Sequence, residues 1–177
     1  VVQTDTPVIA VIDTGVDYTH PDLSDCMWDN PYPGTLKGSH GYDFGDHDAD
    51  PMDENGHGTH VAGIAAAVQD NGVGISGVAQ AQIMALKVTE SDSDEISDLA
   101  IIEAYEYIYD AMDAGVNVCA VNCSWGGSAD TNGILSLAVD IVGGMGALSV
   151  FAAGNDHVNW DNTRKALTTP YDLDSPY

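Results

Sequence analysis

The sequence predicts an α/β fold of three layers, a mostly parallel sheet with helices on both faces. Short, continuous apolar runs bounded by turn residues recur along the chain, as buried parallel strands do. Between them lie longer segments whose apolar residues repeat at helical spacing. A third observation concerns position. Asp13, Ser124 and Asn155 each follow the carboxyl end of a predicted strand, and His57 opens a predicted helix. Ligands of parallel sheets gather at the carboxyl ends of strands, so these residues mark one rim as a candidate site.

The elements follow in order. Pro7 to Ile12 is a buried strand that ends at Asp13. Residues 24–54 read as an irregular acidic stretch rich in Asp, Gly, Pro and aromatics. From His57 to Val68 a helix is expected, with Val61, Ile64, Ala65 and Val68 at helical spacing. Asp70-Asn71-Gly72 marks a turn, and Gln82 to Val88 is the next strand. Asp94 or Ser97 would cap a helix through Ala114, with Ile101, Tyr105, Ile108 and Met112 on one face and Gly115 as its stop. Val116 to Cys123 is a strand. Ile134, Leu137, Ala138, Ile141 and Val142 mark a helix ending near Gly143-Gly144. Ala147 to Ala152 is the last strand, before Gly154-Asn155. With no repeat and no internal linker, residues 1–177 read as one domain.

Composition narrows the function. Hydrophobic residues make up 44% of the chain, so it is not a disordered acidic tail. The formal net charge is −24, from 28 acidic residues against 4 Lys plus Arg. Nucleic acid needs a basic face, so it is excluded as a partner, as are anionic membrane surfaces. No apolar run approaches the roughly 20 residues of a membrane helix. The acidity favours solubility and calcium. No organic cofactor is implied. Cys119 and Cys123 lie on one predicted strand, roughly 13 Å apart at about 3.3 Å per residue, too far to bridge. With Cys26 the count is odd, so no disulfide framework is expected. No signal peptide is visible, and any leader or propeptide is expected outside these residues.

Chemistry concentrates in two runs, Val11-Ile12-Asp13-Thr14-Gly15-Val16-Asp17 and Asn55-Gly56-His57-Gly58-Thr59-His60-Val61-Ala62-Gly63. A strand-end Asp13 can hold an imidazole in one tautomer and stabilise its cation, or merely cap the following turn. Beside His57 the first role dominates. His57 would act as general base. His60, three positions on, reads as a satisfied structural histidine. The spacing His-Gly-Thr-His lacks the glutamate and the length of a zinc-protease helix. Asn155 in Phe151-Ala152-Ala153-Gly154-Asn155 can offer a side-chain N–H to an oxyanion, though an asparagine after a strand is also a common turn residue. Ser124 is rejected as nucleophile, because Asn122-Cys123-Ser124-Trp125-Gly126-Gly127 is not a G-x-S-x-G elbow. That segment reads instead as an exposed strand edge on which an extended peptide can pair.

These motifs, with Ser124-Trp125-Gly126-Gly127 and Ala152-Ala153-Gly154-Asn155, occur in an order that resembles the subtilisin family of serine proteases, in its bacterial version, from about Pro7 onward. The resemblance implies Asp13 and His57 as triad members and Asn155 as oxyanion donor. Ser124, Trp125 and Gly126 become one wall of the substrate cleft, and Ala152, Ala153 and Gly154 the other. Trp125 and the small second wall imply apolar or aromatic residues before the cut. The run from Asp70 to Ala79 is similar to the family's calcium loop. Calcium would take the Asp22 carboxylate, the Asn71 side-chain oxygen and the carbonyls of Gln69, Val73 and Ile75. Asp46-His47-Asp48-Ala49-Asp50 begins like an EF-hand loop, but Pro51 and His57 stand where Gly and Glu are needed, leaving a solvated acidic loop.

One part of the family pattern is missing. The Gly-Thr-Ser-Met-Ala segment that carries the serine is not among these residues, and only 22 positions follow Asn155 (177 − 155). The expectation is a partial peptidase domain over residues 1–177, its fold incomplete at both ends, with the last strands and the serine helix elsewhere. Its partners would be an extended polypeptide substrate and a propeptide or the remaining carboxyl-terminal part. Secretion is implied by the family alone. The chain by itself is expected to be inactive. A peptide-binding pseudoprotease and a split enzyme completed by a second polypeptide are the alternatives.

Overall fold

The computed structural model describes residues 5–91, 93, 95–128, 133–155, 157, 168–169 and 175–177. The apolar run Val8–Asp13 forms β1, at the centre of a five-stranded sheet. Gly41–Asp43 is β2, Gln82–Lys87 β3 and Val118–Cys123 β4. Gly127–Ser128 is β5, Leu148–Phe151 β6 and Thr168–Thr169 β7. The large sheet runs β2-β3-β1-β4-β6 and its neighbours are all parallel. β5 and β7 form a separate antiparallel pair.

Strand side chains alternate between faces, so the sheet builds two cores. Val8, Ala10 and Ile12 of β1 join Met84 and Leu86 of β3 under two helices, α2 (Asp98–Asp113) and α3 (Ile134–Gly144). Val11 joins Ile83 and Ala85 on the other face, under α1 (His57–Ala66). Helices therefore cover both faces, as expected. The buried residues of α1 are Gly58, Ala62 and Ala66, and this small-residue stripe lets the helix lie close on the sheet.

Four elements depart from the sequence expectation, the first being α1, which stops at Ala66 and leaves Ile64 exposed. The acidic stretch contains β2, where Gly41 pairs with Ala85. It also contains the 3-10 turn Ser24–Cys26 and sends Trp28, Tyr42 and Phe44 into the core. Three residues, the first a glycine, are too few to show a period. In α3 the inward row is Leu135, Val139 and Val142, while Ile134, Leu137 and Ile141 are exposed. Both sides of this helix are apolar, so periodicity could not choose between them. Ser97 caps α2 with extended backbone but no side-chain bond, and Asp94 lies outside the described residues. All three cysteines are free. No helix among the described residues is long and apolar enough to cross a membrane.

Candidate active site

The central strand delivers Asp13 to the rim. Its side chain is 3% exposed, while that of His57 is 52% exposed. His57 Nδ1 lies 2.7 Å from Asp13 Oδ1. An ionised carboxylate only accepts, so the imidazole donates through Nδ1 and proton transfer falls to Nε2. Asp13 Oδ1 also accepts the Thr14 N–H at 2.8 Å. Asp13 Oδ2 has no partner among the described residues, so the hold on the ring rests on Oδ1. Gly58 makes the approach possible. A Cβ there would sit 2.1 Å from the Gly15 carbonyl oxygen and 3.2 Å from Asp13 Oδ1.

The loop before α1 is organised by Asp53, which the sequence reading overlooked. It accepts from Thr14, Asn55 and Gly56 on one oxygen and from Thr59 on the other. Burial pushes this carboxyl up, but the hydrogen bonds from Thr59, Gly56 and Asn55 outweigh it and hold it below the usual range. The available signal was an acid just ahead of a helix start.

Strand register places the other candidates on the same rim. Ile12 pairs with Cys123 and Cys123 with Phe151, so the segments after β4 and β6 leave the sheet side by side. The Ala152 N–H donates to the Cys123 carbonyl at 3.1 Å. Residues 152–155 are exposed, Asn155 among them. Ser124 is half-buried and its Oγ accepts from Asn122 Nδ2 at 2.9 Å. The Trp125 indole N–H donates to the Ile12 carbonyl at 3.0 Å, and the ring meets Phe151 edge-on at 5.6 Å. Trp125 thus braces the end of β1 with its side chain. His60 is exposed. It lines a cavity of about 530 Å³ with His20, Asp17 and Glu54.

A second overlooked group stands beside Asp13 in register, Lys87 at the end of β3. Its ammonium is 2.9 Å from Asp43 Oδ2, 3.6 Å from Glu54 and 3.9 Å from Asp46. Burial pulls this lysine down, but the Asp43 bond and the three carboxylate charges hold it above its ordinary value. A cation ending an apolar strand in a chain with 4 Lys plus Arg was the available signal.

Of the expected calcium residues, Asn71 and Ile75 contact a buried Asp22. Asn71 Nδ2 and the Ile75 N–H each donate to one Asp22 oxygen at 2.8 Å. These bonds hold the carboxyl below its usual range. Gly74 has φ +54°, and a Cβ there would lie 2.2 Å from Asp22 Oδ2, so the loop wraps the carboxylate closely. Asn71 Oδ1 accepts from Val73 N, and the Gln69 side chain turns to the Gly77 carbonyl. Each Asp22 oxygen keeps a lone pair. The expected donors, one carboxylate with amide and carbonyl oxygens, are of the kind a hard cation takes.

Comparison with known proteins identifies the family. The Peptidase_S8 (Subtilase family) profile matches residues 4–176. A thermophilic serine proteinase of Bacillus sp. strain AK1 is 45% identical over 150 residues, covering 84% of this chain and 33% of that protein. Thermitase of Thermoactinomyces vulgaris is 40% identical over 148 residues, covering 83% and 47%. The crystal structure of a cold-adapted subtilisin-like serine proteinase superposes with a TM-score of 0.68 at 30% identity, covering 93% of this chain and 50% of that one. The chain thus spans half or less of the length of each of these relatives. By profile, sequence and fold, it belongs to the subtilase family of serine proteases.

Proposed function

We propose that the complete protein is a serine endopeptidase, and that the nucleophilic serine comes from sequence outside these 177 residues. The 2.7 Å contact between a buried Asp13 and a half-exposed His57 carries this reading. In it, His57 Nε2 takes the proton of the serine hydroxyl as the oxygen attacks the peptide carbonyl. Asp13 holds the ring and stabilises the imidazolium. Nε2 then gives that proton to the leaving amine, and an acyl-enzyme remains. Water, deprotonated by the same nitrogen, releases the acid. Asn155 Nδ2 donates to the oxyanion, a contribution of about 3–4 kcal/mol for such a donor in this family of enzymes.

An extended peptide lies between residues 124–126 and 152–154, paired with their backbone. The apolar preference before the cut rests on the small Ala152 to Gly154 wall. Asp22, Asn71 and the carbonyls of Gln69, Val73 and Ile75 would hold a structural calcium. It would supply charge for Asp22 and a tie across the loop. Secretion belongs to the same reading, on family membership.

The exposed apolar side chains of the edge strand support a nucleophile housed elsewhere. Leu148 and Val150 of β6 are 56% and 49% exposed, a bare face that further sheet and helix would cover. The test pairs this chain with the complete protein, each incubated with an unstructured protein and a serine-directed phosphonate. The chain alone is expected to neither cleave nor label. The complete protein should do both, and His57→Ala should abolish them. Labelling of the isolated chain refutes the assignment of the nucleophile. Peptide binding without hydrolysis by the complete protein refutes the enzyme and leaves a pseudoprotease. Activity only after adding a second polypeptide identifies a split enzyme.

A further inference from the structure

The Asp13–His57 pair is assembled from two turns 44 residues apart in sequence (57 − 13). Something must hold those turns in register, because the ring itself is half-exposed. One carboxylate touches both. Asp53 Oδ1 accepts the Thr14 hydroxyl at 2.9 Å, and Thr14 Oγ1 in turn accepts the Gly58 N–H at 3.0 Å. The same oxygen accepts the N–H groups of Asn55 and Gly56 at 3.0 and 2.9 Å. Oδ2 accepts the Thr59 N–H at 2.9 Å and the Thr59 hydroxyl at 2.5 Å. Thr59 Oγ1 then accepts the Asp17 N–H at 2.8 Å.

Two relays therefore leave Asp53. One runs through Thr14 to Gly58, linking the neighbour of Asp13 with the neighbour of His57. The other runs through Thr59 to Asp17, four residues past Asp13 (17 − 13). Gly56, the cap of α1, is left-handed at φ +100° and offers no side chain. Asp53 does the capping from outside the helix and places its charge at the positive end.

We propose that Asp53 is a positioning residue for the general base, acting by hydrogen bonds that fix where His57 stands over Asp13. It touches neither residue directly. The proposal rests on the reading of His57 as base. A role by hydrogen bonding differs from one by charge. Asn in its place keeps an oxygen for Thr14, Asn55 and Gly56, and so the relay to Gly58, but replaces the acceptor of the Thr59 N–H and hydroxyl with an NH2 group. Ala loses every bond.

The tautomer of His57 reads this out in the complete protein without any need for activity. Long-range ¹H–¹⁵N correlation spectra at a pH where the ring is neutral distinguish Nδ1–H from Nε2–H. The wild-type ring is expected to be Nδ1–H, donated to Asp13. Asp53→Ala should shift the ratio toward Nε2–H by about fivefold or more, the equivalent of one lost hydrogen bond. Asp53→Asn should stay within about twofold. Glu54→Gln removes a charge from the same loop without touching Thr14 or Thr59, and should change nothing. If Asp53→Ala does not fold, Thr14→Val decides, since it cuts the relay to Gly58 with a side chain of the same shape. An unchanged ratio in a folded Asp53→Ala or in Thr14→Val overturns the proposal, and so does an equal shift in Glu54→Gln. A wild-type ring in the Nε2–H form overturns the reading of His57 itself, a separate outcome.

Discussion

Lys87→Met isolates the buried ion pair beside the site. The side chains of Lys87 and Asp43 are 4% and 2% exposed, and their charged atoms are 2.9 Å apart. Methionine keeps the unbranched apolar stem and removes the ammonium. Asp43 Oδ1 still accepts the N–H groups of Gly45 and Asp46, but Oδ2 loses its counter-charge in a site closed to water. Removing one member of a buried pair costs about 3–5 kcal/mol. Glu54 and Asp46 also lose an attractive neighbour. They are 59% and 35% exposed at 3.6 and 3.9 Å, so solvent screens them and each adds at most about 1 kcal/mol.

The expected loss is therefore about 3–5 kcal/mol, or about 6–20 °C in Tm at 2–4 °C per kcal/mol for a chain of this size. Urea unfolding followed by circular dichroism measures it, with the m-value checked for constancy. Lys87→Met combined with Asp43→Asn removes both charges and should recover most of the loss. The pH dependence has a definite sign. The lysine is held above its ordinary value in the fold. Its stabilisation is complete below the unfolded pKa of about 10.4 and is lost as pH rises through the folded value. A single mutant that loses less than about 1 kcal/mol at constant m, or a double mutant no better than the single, refutes the account of this pair.

Three further outcomes are expected. Calcium at 100 times its dissociation constant should stabilise the chain by about 2.7 kcal/mol, and Asp22→Asn should abolish that response; an unchanged response in the variant rules out this site. A net charge of −24 repels itself, so raising potassium chloride from 0.1 to 1 M, which shortens the screening length from about 10 to 3 Å, should raise the urea midpoint; a flat or falling midpoint refutes self-repulsion as a main cost. Of the three thiols only Cys119 is exposed, and burial pushes Cys26 and Cys123 up to about 11 and about 12, so a disulfide reagent should label one thiol rapidly in the folded chain; prompt labelling of Cys123 in a folded sample refutes its burial.

The strands at Val8, Gln82, Val118 and Leu148 were legible because buried parallel strands are written as unbroken apolar runs. Asp13 and His57 were legible because the chemistry demands particular residues beside glycines that permit close approach. Asp53, Lys87 and β2 were not. Each owes its place to partners far away in sequence, Asp53 to Thr14 and Lys87 to Asp43. No local period encodes a hydrogen bond across 39 residues (53 − 14). In α3 the pattern marked Val142 and Ala138 correctly but also Ile134, Leu137 and Ile141, which face solvent, for a related reason. Ile134, Leu137 and Ile141 are as apolar as Leu135, Val139 and Val142, and packing alone chose the second set.

The sequence by itself determined the layer order, the strand ends that carry polar side chains and the family, since these follow from local hydrophobic pattern and from motifs of contiguous residues. Only the tertiary structure decided which neighbours complete the site. It put Asp13 against His57 at hydrogen-bonding distance and made Asp53 the common anchor of both turns. It also turned Trp125 inward to brace β1 and enclosed one lysine among three carboxylates. Hydrogen bonds and ion pairs act over about 3–4 Å of space, whereas sequence patterns report burial averaged along an element.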